Sequence, residues 1–190
     1  MTLASKPLTP AGERILTVAS ALFYERGIKA VGVDLIADEA GTTKKTLYDR
    51  FGSKDGLVMR YLERRFDRWC DFVTDHLENY PDPAARILGV YDALEAWMRD
   101  NHRGCGFVNA FAEFGGTDHP ALEVIRREKE WTRGLFVRLA TEAGLADPSE
   151  LGTKLSLIHE GALVMSTAGA RDDALEVARS IARPLVVATG

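Results

Sequence analysis

Residues 33–57 read VDLIADEAGTTKKTLYDRFGSKDGL, two short segments of helical apolar spacing with a glycine between them. Apolar residues recur at helical period from Val33 to Ala40, and Gly41 suits the positive φ of a turn. Thr43 is placed to cap a second short helix. A small residue, Ala37, stands where the two helices would cross, so they can pack closely. The pattern predicts a helix–turn–helix.

The second of these helices would expose its N-terminal end, which is the end that meets the major groove of DNA in helix–turn–helix proteins. Its outward residues are Lys44, Lys45, Tyr48 and Asp49. Lysine ammonium groups bond guanine or neutralise phosphate, and a tyrosine hydroxyl reaches phosphate. Spacing alone leaves a second interpretation open, an ordinary helical hairpin with a solvated, lysine-bearing face.

The rest of the chain also reads at helical period, and no stretch alternates long enough to form a convincing strand. We therefore predict an all-α fold of about nine helices. Short helices give way to long ones near residues 50–60, which predicts a helix–turn–helix domain at 1–57 and a larger helical domain at 58–190. Asp147-Pro148-Ser149-Glu150 reads as a capping box at the start of the penultimate helix.

Composition narrows the class of protein. The chain has 190 residues, of which 46% are hydrophobic and 27% charged, as is usual for a globular protein. Its net charge is −4, yet residues 1–60 carry nine Lys or Arg against seven Asp or Glu, a small basic surplus that suits DNA. No apolar run approaches the ~18 residues of a membrane span, and no signal peptide is recognisable. Two cysteines are too few for a zinc site or disulfide framework, so we expect a reduced, cytoplasmic protein without metal or cofactor.

Residues 9–57 resemble the DNA-binding head of the TetR family of bacterial transcriptional regulators. The first helix, from Arg14 to Gly27, fits the family's usual opening, and residues 36–57 match its signature nearly position by position. The resemblance implies a regulator, usually a repressor, that a small molecule releases from its operator. It implies DNA contacts at Thr43, Lys44, Lys45, Thr46, Tyr48, Arg50 and Lys54.

Because of three departures from the family pattern, the operator sequence cannot be inferred from the operators of other family members. Gly32 replaces the usual Thr or Ser cap, Lys45 stands where a small residue is common, and Asp49-Arg50 replaces a more usual aromatic or basic pair with His. An aspartate near phosphate would repel it unless it accepts from a cytosine amino group.

The helix predicted near 148–168 is apolar on two sides, so both sides must be buried. One side can face the domain's own core, and the other suits a symmetry mate. A homodimer built on this helix and the last one is also the family's usual arrangement. The alternative is a fully internal helix. The predicted interface residues are Leu157, Gly161, Val164, Ala168, Ala178, Ile181, Ala182 and Leu185.

The resemblance also implies a cavity in the larger domain for a small, hydrophobic ligand. The candidate lining residues are Trp69, Phe72, Phe107, Asn109, Phe111, Glu113 and His159. The competing interpretation is that the aromatic residues are ordinary core, that Asn109 and Glu113 are solvated, and that His159 is a satisfied core histidine.

Cys105 lies between two glycines and close to His102 and Arg103, and cationic neighbours lower the pKa of a thiol. This leaves open a thiol-based redox or electrophile sensor, against an inert buried residue. A small enzyme that uses Cys105 is a remote alternative, because no third catalytic partner and no phosphate loop or dinucleotide fingerprint is present. We predict that the protein is not an enzyme.

Overall fold

The computed structural model describes residues 8–187, and within that range the chain forms nine helices and no strands, which confirms the all-α prediction. The helices are Pro10–Arg26 (α1), Val33–Glu39 (α2), Lys44–Phe51 (α3), Lys54–Leu77 (α4), Pro83–Met98 (α5), Gly106–Phe114 (α6), Ala121–Glu142 (α7), Pro148–Met165 (α8) and Ala174–Val187 (α9). None of the helices in the described range is long and apolar enough to cross a membrane.

Local signals set several of the helix ends. Thr9 caps α1, where its Oγ1 accepts from the backbone N–H of Gly12 at 3.3 Å, and Pro10 occupies the first helical position. Gly27 ends α1 with φ at 87°, a conformation that a side chain would strain. Each of these signals depends on residues within one turn of the helix end.

The capping box predicted before α8 is absent. Asp147 adopts a left-handed conformation with φ at 43°, and its side chain makes no capping hydrogen bond. Glu150 instead pairs with Lys154 one turn later, at 2.6 Å. A capping residue normally has an extended backbone, and Asp147 departs from it, so residue types alone misidentified this cap.

A first compact unit contains the residues up to Arg64 together with Asn109–Val124. It holds α1, α2 and α3, the first turns of α4, the C-terminal part of α6 and the beginning of α7. Its segment 109–124 lies outside the predicted domain of residues 1–57, and the domain boundary stays a prediction. The core of this unit includes Ile15, Leu16, Ala19, Leu22, Phe23, Ile36 and Leu47.

A second compact unit contains Arg65–Val108 and the chain from Ile125 onward. In it, α9 packs against α5 and α8. The fully buried hydroxyl of Tyr91 on α5 donates to the carbonyl oxygen of Leu155 on α8 at 2.8 Å, which satisfies a polar group in an otherwise apolar core. Further core residues are Val73, Ile87, Val90, Leu94, Phe136, Leu139 and Ala182.

Candidate nucleic-acid interface and ligand cavity

The exposed face of α3 carries most of the predicted DNA contacts. Thr43 Oγ1 accepts from the backbone N–H of Thr46 at 3.1 Å, so it caps α3 as predicted. Lys44, Lys45 and Tyr48 are exposed, and Tyr48 has 43% of its surface accessible. A helix N-terminus with free backbone N–H groups and no acidic residue in its first turn is a favourable surface for a polyanion.

The opposite face of α3 holds it against the rest of the first unit. Ile36 on α2 and Leu47 on α3 are completely buried, and Ala37 is nearly so. Arg14 on α1 donates from Nε to the carbonyl oxygen of Ala40 at 3.4 Å, just after α2 ends. The buried apolar residues and the hydrogen bond from Arg14 to Ala40 hold α3 rigidly, so the position of its exposed face is fixed.

Lys44 is not free in the absence of DNA. Its ammonium lies 2.7 Å from Asp34 Oδ1 on α2, and the hydrogen bond and charge of Asp34 raise the pKa of Lys44. Both side chains are exposed, so the pair contributes little stability. Lys44 therefore presents less free positive charge than its neighbour Lys45.

Lys54 is the first residue of α4 and is half-buried. Burial lowers the pKa of Lys54, while the carboxylates of Glu113 and Asp55 act in the opposite direction. Ser53 precedes it and accepts from the backbone N–H of Gly56 at 2.9 Å, so the start of α4 is capped. Arg50, at the other end of α3, is exposed.

The second unit contains a cavity that is partly open to solvent. Its wall is mainly aromatic and aliphatic, and the indole rings of Trp69 and Trp97 meet edge to face with centroids 5.4 Å apart. The side chains that line it are Arg65, Trp69, Leu94, Trp97, Met98, Cys105, Phe107, Glu128, Lys129, His159 and Leu163.

Glu128 and Lys129 of α7 line this cavity and form its charged end, and Glu160 on α8 pairs with Lys129. Lys129 Nζ lies 2.9 Å from each carboxylate oxygen of Glu160 and 3.1 Å from Glu128 Oε2. Burial raises the pKa of Glu128. Burial would also raise the pKa of Glu160, but the neighbouring His159 and Lys129 lower it to about 2. The positive charge of Lys129 is thus neutralised by the carboxylates that it contacts.

The comparisons with known proteins agree on one family. The family described as "Bacterial regulatory proteins, tetR family" matches residues 15–61, which contain α2, α3 and all seven predicted DNA contacts. A TetR-family transcriptional regulator from Streptomyces coelicolor has a crystal structure similar to this one, with a TM-score of 0.86, 27% identity and coverage of 94% of this chain and 95% of that one. Residues 15–61 thus match the TetR family's DNA-binding region, and the chain resembles a TetR-family regulator over nearly its whole length.

The curated relatives that this chain matches include a transcriptional activator and a transcriptional repressor. The transcriptional activator FasR of Mycolicibacterium smegmatis is 34% identical over 50% of this chain and 45% of its own length. The transcriptional repressor KstR2 of Rhodococcus jostii is 33% identical over 43% of this chain and 42% of its own. The chain thus spans about half the length of the curated relatives it matches.

Some of the predicted ligand contacts meet in the cavity and others do not. Trp69, Phe107 and His159 line it. Phe72 lies behind Trp69, with the two rings stacked at 6.5 Å. The other three candidates do not line it: Asn109, Phe111 and Glu113 belong to the first unit, where Phe111 is 55% exposed and Glu113 bonds to backbone N–H groups.

The sequence analysis did not predict that charged side chains of α7 line the cavity. Glu128 and Thr132 occupy the buried stripe of α7 between Ile125 and Leu135, and both are less than 5% exposed. An acidic residue on an apolar helical stripe is the signal that could have identified this group.

The predicted dimer face is largely exposed. Leu157, Val164 and Ile181 have 69%, 44% and 52% of their surface accessible. Gly161 and Ala168 are exposed as well, and Leu185 is half-buried. Ala178 and Ala182 need correction, because they are buried in this chain's own core. They turn inward because α9 packs its small residues against α5 and α8.

The surroundings of Cys105 favour the interpretation of an inert residue. Burial raises the pKa of Cys105, and the ammonium of Lys129, whose Nζ is 3.6 Å from Sγ, only partly opposes this. Because desolvation disfavours the thiolate, this environment does not activate the thiol.

Proposed function

We propose that this chain is a DNA-binding transcriptional regulator that recognises a palindromic operator as a homodimer and is not an enzyme. The observation that carries the proposal is the capped α3, whose exposed face combines Lys45 and Tyr48 with a rigid buried side. Lys45 and Lys44 are suited to base edges and phosphates at the end that enters the major groove, and Lys54 to a phosphate at the start of α4.

A homodimer is supported by the apolar surface of α8 and α9. Leu157, Val164, Met165 and Ile181 are large apolar side chains that are exposed in the single chain. An apolar surface of this kind on two helices is typical of an interface between protein chains. Two identical heads related by a two-fold axis require half-sites roughly one helical turn, ~34–36 Å, apart.

We further propose repression with release by a small molecule in the cytoplasm. A dimer seated on an operator can block transcription without contacting any other protein. Helix α4 begins at Lys54 and contributes Trp69 to the cavity. A ligand that prefers a tilted α4 must weaken DNA binding, and DNA must weaken ligand binding by the same factor. The usual coupling is ~1–3 kcal/mol, about 5–150-fold in affinity.

The test is to select duplexes from a random pool with the purified protein and to footprint the selected site. We expect a dyad-symmetric footprint and, by sedimentation, one dimer for each site. A footprint without dyad symmetry, or a monomer that binds DNA with full affinity, would overturn the homodimer proposal. With the selected site placed inside a promoter, added protein should lower transcription in vitro, and an increase would refute repression.

A further inference from the structure

The buried imidazole of His159 has an unused hydrogen-bonding position at the cavity. His159 is 2% exposed and lines the cavity, and neither of its ring nitrogens has a hydrogen-bond partner among the described residues. Nδ1 lies 3.7 Å from Glu160 Oε1, and the charge of this carboxylate favours a proton on Nδ1. A proton on Nδ1 leaves Nε2 as an acceptor, so the missing partner is a hydrogen-bond donor.

Glu128 adds a second acceptor to the same cavity. Its side chain is 4% exposed, and Oε2 makes no well-oriented hydrogen bond, although the ammonium of Lys129 is 3.1 Å away. A buried polar atom without a hydrogen bond costs free energy that a bound donor recovers. The unpartnered acceptor atoms that line this cavity can therefore be satisfied by a ligand that carries a hydrogen-bond donor.

The remaining wall of the cavity favours a flat apolar body. Trp69, Trp97 and Phe107 supply three aromatic rings, and Leu94 and Leu163 supply aliphatic side chains. Aromatic rings pack best on other rings in offset or edge-to-face arrangements. A planar aromatic ring with a donor group would use both the wall and the unsatisfied end.

A negatively charged ligand fits this end poorly. The ammonium of Lys129 is already bonded to both oxygens of Glu160 and contacts Glu128. Arg65 donates from Nη2 to Asn101 Oδ1 at 2.7 Å. A ligand carboxylate would approach the carboxylate of Glu128, whose counter-ion Lys129 is already engaged with Glu160, so it would be repelled there.

A positively charged ligand fits no better. The guanidinium of Arg65 lies over the ring of Trp97, 5.8 Å from its centroid, where an aromatic cage would otherwise receive a cation. A second cation would face the guanidinium of Arg65 in a partly desolvated space.

We infer that the cavity binds an uncharged, planar aromatic molecule that carries a hydroxyl group, with the hydroxyl donating to His159 Nε2 or Glu128. The inference rests on the proposed function in taking this cavity as the ligand site, and it specifies the chemical class that the site accepts. A phenol is the simplest member of the class, because its hydroxyl is a strong donor and remains neutral near pH 7.

The experiment measures binding of four matched probes to the full chain by calorimetry. They are 4-ethylphenol, 4-ethylanisole without the donor, 4-ethylbenzoate and 4-ethyl-N,N,N-trimethylanilinium. We expect the phenol to bind about tenfold more tightly than each of the others, the effect of one hydrogen bond. Equal affinity of the anisole, tighter binding of either charged probe, or no binding of the phenol up to its solubility limit would overturn the inference.

Variants separate recognition from folding. His159→Phe should reduce phenol affinity about tenfold, to that of the anisole, and leave anisole affinity unchanged. His159→Gln provides a second test if the first variant does not fold, because a side-chain acceptor should restore part of the preference for phenol. Equal losses for phenol and anisole in both variants would indicate a merely structural histidine and refute the assignment.

A matched pair on α7 tests the second acceptor. Glu128→Gln should weaken phenol binding, whereas Glu130→Gln, the same change at an exposed position, should not. Equal effects of the two substitutions would remove Glu128 from the site.

Affinity for the selected operator, measured with and without 4-ethylphenol, distinguishes the two proposals. Phenol binding that leaves DNA affinity unchanged would support the ligand class and refute release. Intact operator binding with no phenol binding would refute the class and leave the DNA-binding function standing.

Discussion

Glu113 Oε1 accepts a hydrogen bond from the backbone N–H of Ile28 at 2.7 Å, although the two residues are 85 positions apart in the chain. Its other oxygen accepts from the backbone N–H of Lys29 at 2.6 Å. One side chain at the C-terminal end of α6 thus satisfies two N–H groups of the turn between α1 and α2. This contact helps to explain why residues 109–124 belong to the compact unit that carries α3.

Glu113→Gln should lower the free energy of unfolding by about 2 kcal/mol, because hydrogen bonds to a charged acceptor contribute more than neutral ones. An amide also turns one acceptor into a donor that faces another N–H. Urea unfolding followed by circular dichroism measures the change. Glu39→Gln, at an exposed position on α2, is the control and should have little effect. Equal stability of both variants would show that the two bonds to Glu113 contribute nothing.

Substitutions in and near α3 should separate affinity from sequence preference. Lys54→Ala should weaken binding to all duplexes and reduce the slope of log affinity against log salt by about one, because one phosphate contact is lost. Tyr48→Phe should also weaken binding irrespective of sequence. Lys45→Ala should instead change the ranking of operator variants, and Lys154→Ala on α8 should change neither. Fluorescence anisotropy at several salt concentrations measures all four. An unchanged slope for Lys54→Ala would remove that residue from the interface.

Leu157→Asp should raise the dissociation constant of the homodimer at least about 100-fold, because it places a charge in an apolar interface. Sedimentation equilibrium measures this directly. Thr141→Asp introduces the same group at an exposed position on α7 and serves as the control. If Leu157→Asp stays as dimeric as the control, the interface uses another surface.

Two glycine-to-alanine substitutions should have opposite effects on stability. A Cβ at Gly56 would lie 2.0 Å from the carbonyl oxygen of Phe51, so Gly56→Ala forces the start of α4 to move and should cost about 2 kcal/mol or more. A Cβ at Gly134, within α7, would come no closer than 3.6 Å to another side chain. Gly134→Ala should therefore stabilise the protein by about 0.5–1 kcal/mol through helix propensity. Thermal unfolding of both variants measures the two effects. A Gly56→Ala variant more stable than the wild type would contradict the close approach between residue 56 and the carbonyl oxygen of Phe51.

The stability contributed by Glu160 should depend on pH. Its pKa is about 2 in the folded chain, below the ordinary value of 4.5, so its contribution is present above pH 4.5 and lost as the pH falls towards 2. Glu160→Gln should be about 1–3 kcal/mol less stable than the wild type at pH 7, because Lys129 loses a partner. The difference should shrink at about pH 3.

Urea unfolding at several pH values tests this dependence. Glu150→Gln on the same helix is the control, since its ion pair with Lys154 is exposed and should contribute little at any pH. A difference between wild type and Glu160→Gln that stays constant between pH 7 and about pH 3 would contradict the assigned ionisation.

Local features were readable without the fold. Apolar spacing predicted the helices, Thr43 acts as the cap that its position indicated, and the signature around Gly41 located α3 with its exposed lysines. Each of these depends on residues within a few turns of one helix, where spacing and capping chemistry are decisive. Asp147 shows the limit, because one backbone angle outside the usual range removed the expected cap.

Only the tertiary structure decided which apolar face of a helix meets which neighbour. Periodicity marked both sides of α8 as apolar and placed α9 beside it, but it did not indicate that Ala178 and Ala182 pack inward while Leu157 and Ile181 remain exposed. It also gave no sign that Glu113 bonds to the turn after α1, that Glu128 and Lys129 join His159 in lining one cavity, or that Glu160 pairs with Lys129. A helical pattern specifies directions around a single axis. The partner in each direction is set by how several helices pack together, and residues far apart in the chain determine that packing.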